Sequence, residues 1–428
     1  MMKPWMIVAS GLLCGISVAG EARGEIRRMV CILGGQQEVP QVATTARGCG
    51  LFEIDTDLNT VQFRIVYSGL SSAEVAAHIH GFAAPGVNAG VKIALPAGPL
   101  KIGTWTYVEA DEASILGGLA YVNVHSAAFA GGEIRGQIVD MVAYIDGAQE
   151  SPPNGSPGLG VGLFMIDETA NTLTYRIVYN GLAGVENAAH IHGSANYGTN
   201  AGVVHPLPAG ALKTGVWNYP EAMERSILDG LTYVNIHTNV VGGGEIRGQI
   251  VCSVNPMDRT QEVPATNTSS NGCAFCGIDR TARTLGYDIQ TALAGSTEVA
   301  AHIHGFASAG VNAGVVHPLA AGARKLGVWN FATDAAGLGI LEEKTYINIH
   351  TNVFAGGEIR GQIRWCDPGL CGADFDGDGT VDFFDYDAFV RCFEGGTCPP
   401  GKTADFDGDG SVDFFDYDAF VVEFEAGC

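Results

Sequence analysis

Apolar and polar positions alternate with a period of two through the body of this chain. Val61, Phe63, Ile65 and Tyr67 share one side of such a run, and Tyr175, Ile177 and Tyr179 repeat the pattern further on. Successive side chains of an extended strand point to opposite faces, so this alternation predicts β-strands. The runs are short, rich in β-branched and aromatic residues, and separated by Gly, Pro and Asn turns, which predicts antiparallel sheets. Helix is expected only in brief pieces of the body, such as Glu112 to Leu116.

The pattern occurs three times. A Gln-Glu pair recurs at Gln37, Gln149 and Gln261, and HIHG begins at His78, His190 and His302, each time 112 residues on. YVNVH from Tyr121 returns as YVNIH from Tyr233 and YINIH from Tyr346, and GGEIRGQI returns at Gly131, Gly243 and Gly356. These repeats predict domains over residues 29–140, 141–252 and 253–366, followed by a tail over residues 367–428. QEVP, the Gly-Leu before AAHIHG, the YVNVH strand and the closing GGEIRGQ resemble the CHRD domain, first recognised in chordin. That resemblance implies a secreted β protein. Such domains occur in an extracellular antagonist of growth-factor signalling and in bacterial exported proteins without an assigned activity, so it implies no particular reaction. The fold expected is mostly β: three tandem antiparallel β-sandwich domains, Greek-key and superoxide-dismutase-like or Ig-like, plus a small α calcium-binding loop-helix module.

The chain begins Met1, Met2, Lys3, continues with an apolar run from Trp5 to Val18, and then has small residues at Val18-Ala19-Gly20. Residues 1–22 therefore read as a secretory signal peptide, and the mature protein as secreted, extracellular or periplasmic. Cys14 follows Leu13 rather than a small residue, against a lipoprotein site. No later segment approaches the ~20 apolar residues of a membrane helix, so no transmembrane segment is expected in the mature chain. Without Cys14, ten cysteines remain, an even number suited to disulfides in an oxidising compartment. Cys31 with Cys49, and Cys252 with Cys273, are the favoured pairs because they flank the start of two repeats in the same way. Of the net charge of -23, the tail supplies -14: sixteen Asp and Glu against Arg391 and Lys402. A phosphate backbone needs Lys and Arg to displace its counterions, so no nucleic-acid partner is expected. Divalent cations are the natural counter-charge.

All eleven histidines fall at corresponding places in the repeats. His78 and His80 are two apart on a strand and emerge on one face, while His125 lies on another strand with Asn123. The later copies have His190, His192 and His237, then His302, His304 and His350. They add His205 and His317 within VVHPL, where the first copy has Ile93. Imidazole is a common ligand for copper and zinc, and three or four of them on rigid strands suit either metal.

The spacing also resembles the copper-zinc superoxide dismutase sandwich. There an H-x-H strand after a Gly-Leu turn, a later His, a V-x-V-H strand and a G-x-R-x-x-G strand supply the copper ligands and an arginine. The resemblance puts His190, His192, His205, His237 and Arg247 together, and likewise His302, His304, His317, His350 and Arg360. No set matching that enzyme's separate zinc site is present, and the loops are shorter. The other reading is a hydrogen-bonded polar cluster of the imidazoles with Glu133, Arg135 and Asn123 that fixes the domain geometry. GGEIRGQI alternates Glu133, Arg135 and Gln137 against Ile134, Gly136 and Ile138, which reads as a closing strand with a cross-strand ion pair. Arg135 could also serve an anion beside the histidines. No nucleophile motif, phosphate loop or paired-carboxylate signature points to a hydrolase.

In the tail, DFDGDGTVDFFD begins at Asp374 and DFDGDGSVDFFD at Asp405. Calcium takes six to eight oxygens, and a twelve-residue loop supplies them from positions 1, 3, 5, 7, 9 and 12. Site one is then Asp374, Asp376, Asp378, the Thr380 carbonyl, Asp382 and Asp385. Site two is Asp405, Asp407, Asp409, the Ser411 carbonyl, Asp413 and Asp416. Gly379 and Gly410 permit the sharp turn. Each loop is expected to lead into one amphipathic helix, Tyr386 to Phe393 and Tyr417 to Phe424, with no entering helix. Phe383-Phe384 and Phe414-Phe415 read as core of so small a module. This loop-helix duplication resembles a dockerin, although the linker with Cys392 and Cys398 is longer than usual.

The function expected is an exported, non-catalytic binding or scaffold protein whose tail binds two calcium ions and docks to a protein partner. One alternative is a copper- or zinc-binding metalloprotein with superoxide-dismutase-like sites in the repeats. The other is a polysaccharide-associated assembly component.

Overall fold

A computed structural model describes residues 26–365, 373, 375, 376, 383–399, 402–406 and 411–426. The expected signal peptide lies outside them. Repeat one contains eight strands: β1 (Ile26–Gly34), β2 (Arg47–Asp55), β3 (Thr60–Ser68), β4 (Glu74–His80), β5 (Val91–Ala94), β6 (Leu100–Thr106), β7 (Tyr121–Ser126) and β8 (Ile134–Gln137). A helix, Glu109–Leu116, joins β6 to β7. It starts a turn earlier than the sequence pattern predicts, with Glu109, Asp111 and Glu112 at its positive N-terminal end.

The strands pair antiparallel in the order β5-β4-β7-β8-β1-β2-β3-β6. Two four-stranded halves meet at a narrow seam, where Gly34 pairs with Arg135 and Val30 bridges Val139. Repeat two has the same order. In repeat three the seam is a bridge between Asp258 and Arg360, and the halves are separate four-stranded sheets. The recurring glutamine reinforces each seam. Gln37 donates to the Ile32 carbonyl at 2.6 Å and accepts from the Gln137 amide at 3.0 Å, so its side-chain amide continues the backbone ladder. Gln261 does the same between Pro256 and Gln362, at 2.8 and 3.0 Å.

The halves fold over a core of alternate residues, as the period-two pattern predicts. Met29, Phe52, Ile65, Ile79, Val122, Val124 and Ile134 fill it in repeat one. The strands β1 to β3 also bury their other face. Val30, Ile32, Cys49 and Val66 pack with Val142, Val161 and Leu163 of repeat two, and with Val254, Cys273 and Phe275 of repeat three. Large apolar side chains of this kind contribute roughly 1.5–3 kcal/mol each when fully buried, so separating the repeats would expose a substantial shared core.

The seams between repeats follow a cycle. Gly118 of repeat one lies against Met165 of repeat two, and Gly230 of repeat two against Gly277 of repeat three. The corresponding Glu343 of repeat three pairs with Arg28 of repeat one, whose Nη1 also donates to the Trp365 carbonyl at 3.0 Å. The three repeats thus close on one another as a ring with pseudo-threefold character.

A disulfide, Cys49 to Cys273, joins repeats one and three across the shared core. This overturns the expected pairs. Cys31 lies opposite Gly50 and faces the core of its own repeat, whereas Cys49 is one residue out of phase and faces the other repeats. Cys31 and Cys276 are buried free thiols, and Cys252 sits in a different disulfide.

The tail adds two helices, Phe383–Phe393 and Phe414–Ala426, each beginning earlier than expected. Phe375, Phe389 and Phe420 form their core, with the Phe389 and Phe420 rings stacked at 4.0 Å. Phe383, Phe384, Phe414 and Phe415 are instead 64–70% exposed, contrary to the core role expected of them. Cys392 pairs with Cys398. Among the described residues no helix is long and apolar enough to cross a membrane.

Candidate metal centre

The histidine strand is anchored at its first residue. Glu74, which opens β4, accepts from Lys101 of β6 at 2.6 Å, and Lys101 is fully buried with two further carbonyl partners, Pro96 at 2.8 Å and Gly98 at 3.1 Å. The ion pair spans the two halves of the sandwich. Glu186 with Lys213 and Glu298 with Lys325 repeat it. A buried pair of this kind fixes geometry more surely than it adds stability, because desolvation offsets most of the attraction.

Register then places the rings. His78 lies opposite Asn123, His80 opposite Tyr121, and His125 opposite Ala76. A bulge between Glu74 and Ala76 shifts the pairing there. With Ala77 and Ile79 turned into the core, the three histidines stand together on the outer face. One ring nitrogen from each comes within 4.8 Å of the other two, and the same holds for His190, His192 and His237 and for His302, His304 and His350.

Backbone carbonyls decide which nitrogen points inward. His80 Nδ1 lies 3.0 Å from the Ala89 oxygen and His125 Nδ1 3.0 Å from the Ala130 oxygen. A carbonyl only accepts, so each Nδ1 carries the proton and each Nε2 turns a lone pair to the centre. His192 and His237 bond Ala201 and Gly242 at 2.9 and 3.1 Å; His304 and His350 bond Ala313 and Ala355 at 2.9 and 3.0 Å. The third histidine points Nδ1 inward, and His78 Nδ1 is 3.3 Å from His125 Nε2. In repeats two and three all three inward nitrogens are buried without a hydrogen-bond partner among the described residues.

These nitrogens fit a d-block cation. A tetrahedral ion with Zn–N bonds of about 2.0–2.1 Å holds its ligand atoms roughly 3.4 Å apart, and the three nitrogens of each set already lie within 4.8 Å of one another. An all-imidazole set suits copper or zinc and offers no oxygen to calcium or magnesium. Burial, and then the neighbouring imidazoles, hold His78, His190 and His302 below the ordinary histidine value. Burial also lowers His80, His192 and His304, against the carbonyl bond that raises them. Their lone pairs are therefore available at neutral pH.

His205 and His317 do not join these sets. His205 pairs with Ile191 and His317 with Ile303, residues that face the core, so both rings lie on the opposite side of the sheet from the triads. His205 stacks on Trp217 at 5.7 Å, and His317 Nε2 is 3.2 Å from the Tyr287 hydroxyl. Ile93 pairs with Ile79 at the same place and packs on the core of repeat one.

Arg135 is also placed differently from expectation. Its Cζ lies 3.5 Å from the centre of the Tyr121 ring, and His80 stacks on that ring at 5.0 Å from the neighbouring strand. Tyr121 thus stands between the guanidinium and the triad. Arg135 donates to the Val87 carbonyl at 2.9 Å, Asn88 Oδ1 at 3.3 Å and Gln137 Oε1 at 3.1 Å. Arg247 and Arg360 lie over Tyr233 and Tyr346 at 3.6 and 3.3 Å. Among the described residues Glu133 has no ion-pair partner; Thr44 donates to it at 2.7 Å, the Ser71 amide at 2.8 Å and the Ser71 hydroxyl at 3.0 Å. Burial pushes its carboxyl up, but hydrogen bonds from Ser126, Thr44 and Ser71 outweigh this and hold it below the usual value.

Glu38, second residue of the recurring Gln-Glu pair, is a feature the pattern reading passed over. It lies buried beside Asn123, the strand partner of His78, and burial pushes its carboxyl up to about 7 against the pull of Arg135. Glu150 and Glu262 are likewise raised to about 7. A Cβ at Gly132 (φ +126°) would stand 2.4 Å from Asn123 Oδ1 and 2.6 Å from Glu38 Oε1, so the close approach requires glycine. The signal was the strict recurrence of a polar pair beside otherwise apolar strands.

The two twelve-residue acidic loops expected to bind calcium are described only in part. Asp376, Asp385, Asp405, Ser411, Asp413 and Asp416 are among the described residues; Asp374, Asp378, Thr380, Asp382, Asp407 and Asp409 lie outside them. Asp385 and Asp416, at the twelfth loop positions, are buried. Asp385 accepts from the Asp376 amide at 2.9 Å, and Asp416 accepts from the amides of Phe406 at 2.6 Å and Asp413 at 2.8 Å.

No curated protein matches this chain. The CHRD domain model matches residues 29–138, 141–250 and 254–363, intervals that each contain one complete triad. The chain therefore belongs to the CHRD domain family, with three tandem copies of the domain.

Proposed function

We propose that this is an exported, non-catalytic metal-binding scaffold in which each CHRD repeat holds one copper or zinc ion on its histidine triad. The observation that carries the reading is the convergence of three imidazole nitrogens per repeat, two of them fixed as lone-pair donors by carbonyl-bound Nδ1 protons. Leaving such nitrogens buried and unpaired costs roughly 1–3 kcal/mol apiece, which a bound cation would remove. The position of Arg135 behind Tyr121 favours holding a metal over turning over an anionic substrate there. The disulfides Cys49–Cys273 and Cys392–Cys398 support export to an oxidising compartment. Copper(II) added to the full chain is expected to give an electron paramagnetic spectrum with nitrogen coupling from imidazoles. A spectrum of free aqueous copper alone contradicts the reading.

A second reading concerns the tail, as a dockerin-like module that two calcium ions order for docking to a protein partner. Its support is the pair of buried twelfth-position carboxylates turned onto loop amides, together with four exposed phenylalanines in duplicate. Clustered carboxylates repel one another without a cation, so chelator is expected to reduce the helical circular dichroism of the isolated tail. An unchanged signal counts against it.

A further inference from the structure

The three seams between repeats are not alike. At the start of the short helical turn after the first strand, repeats two and three carry Asp146 and Asp258, and each caps its turn by accepting backbone amides. Each also accepts an arginine from a neighbouring repeat. Asp258 pairs with Arg64 at 2.5 Å, and Asp146 with Arg324, which is further held by Asp288 at 2.6 Å. The corresponding residue of repeat one is Gly34, which offers no side-chain cap.

The arginine that faces this gap is present. Arg176 occupies in repeat two the place of Arg64 in repeat one, and it reaches across to Gly86 of repeat one, where a Cβ would stand 2.7 Å from its Nη2. It is half-buried, and among the described residues it has no hydrogen-bond or ion-pair partner. A cavity of about 230 Å³ opens beside it, lined by Gln36, Glu38, Gln41, Pro85, Arg135 and Arg176 among others. Two guanidinia against one carboxyl leave that cavity with room for one more negative charge.

We infer that this cavity between repeats one and two binds a small organic carboxylate, whose carboxyl group pairs with Arg176 as Asp258 pairs with Arg64. The carboxylate assignment comes from the molecule itself, because a protein carboxylate fills the corresponding place in the other two seams. Glutamine amides at the rim suit hydroxyl or carbonyl groups on the rest of the ligand. The histidine triads are not lining residues of the cavity, so the inference stands apart from metal binding.

Calorimetry of the full chain with malonate and with D-glucuronate tests it. The unaltered protein is expected to bind at least one of the two at a single site. Arg176→Gln is expected to weaken that binding roughly tenfold or more, the loss typical of one charge-assisted pair. Gly34→Asp supplies the missing carboxylate from the chain. Its backbone is already extended (φ -167°) and the nearest obstacle is the movable Gln36 amide, so it is expected to fold, abolish binding and raise the melting temperature. Absence of binding by both acids, or binding that survives both substitutions, overturns the proposal.

Discussion

In repeat two, His190 and His192 stand on one face of strand Glu186–His192, and His205 stands across from Ile191 on the other. Of these outer rings His192 has its Nδ1 proton tied to the Ala201 carbonyl, and both rings turn an unpaired nitrogen to the centre. The inner one stacks on Trp217, in a place where repeat one uses isoleucine. Neighbours on hydrogen-bonded strands thus take opposite roles because a single residue of register decides the face. A ring on the core side is worth its packing, about 0.5–1.5 kcal/mol for an aromatic pair, whereas a ring on the outer side is worth its lone pair.

The largest effect that could break this distinction is loss of a ligand. His237→Ala is expected to weaken metal binding at its triad by at least about a hundredfold while the other two sites titrate as before, measured by competition with a chromogenic chelator. His205→Ala is expected to leave all three sites unchanged. If His205→Ala removes a site and His237→Ala does not, the two faces have been assigned the wrong way round.

Next comes the support behind the outer face. Arg247 is fully buried, lies over Tyr233 and bonds the Asn196 and Thr199 carbonyls. Arg247→Met leaves those carbonyls without their donor and is expected to cost about 2–4 kcal/mol in chemical denaturation. A loss below half a kcal/mol would mean that the stack is incidental. On the inner face, His205→Ala is expected to cost about 1–2 kcal/mol and His205→Ile less, since repeat one already carries Ile93 there.

The smallest effect is a pH dependence behind the triad. Glu150 has its carboxyl raised to about 7 from the ordinary 4.5, with burial the main cause. The folded state therefore holds that proton more tightly than the unfolded chain, and stability falls as pH rises from about 4.5 through about 7. Arg247 and Asn235 face the carboxyl and moderate the shift. Glu150→Gln is expected to melt higher than the unaltered protein at pH 8 and no higher at pH 5. An equal shift at both values would remove the proton from the account.

Much of this was legible in the chain. The period-two pattern of Val61, Phe63, Ile65 and Tyr67 gives β3, and two-residue spacing puts His78 and His80 on one face with no further information. Their convergence with His125 follows from the recurrence of both motifs in three copies. The grouping of His205 with them did not follow, because order along the chain says nothing about cross-strand register. The Cys49–Cys273 disulfide was hidden for a related reason: it crosses a core that exists only when three repeats close together. Arg135 was recognisable as a member of the polar cluster near the histidines but not as a tyrosine-stacked cation, since Tyr121 is its neighbour only after β7 and β8 pair.

The most direct test is the number of ions per chain. Native mass spectrometry of the full protein, saturated with zinc and desalted, should show three tightly bound ions beyond any calcium in the tail. It should show two in His190→Ala and three in His205→Ala. A protein that retains no zinc, or whose count falls with His205 rather than His190, contradicts the triads as metal centres.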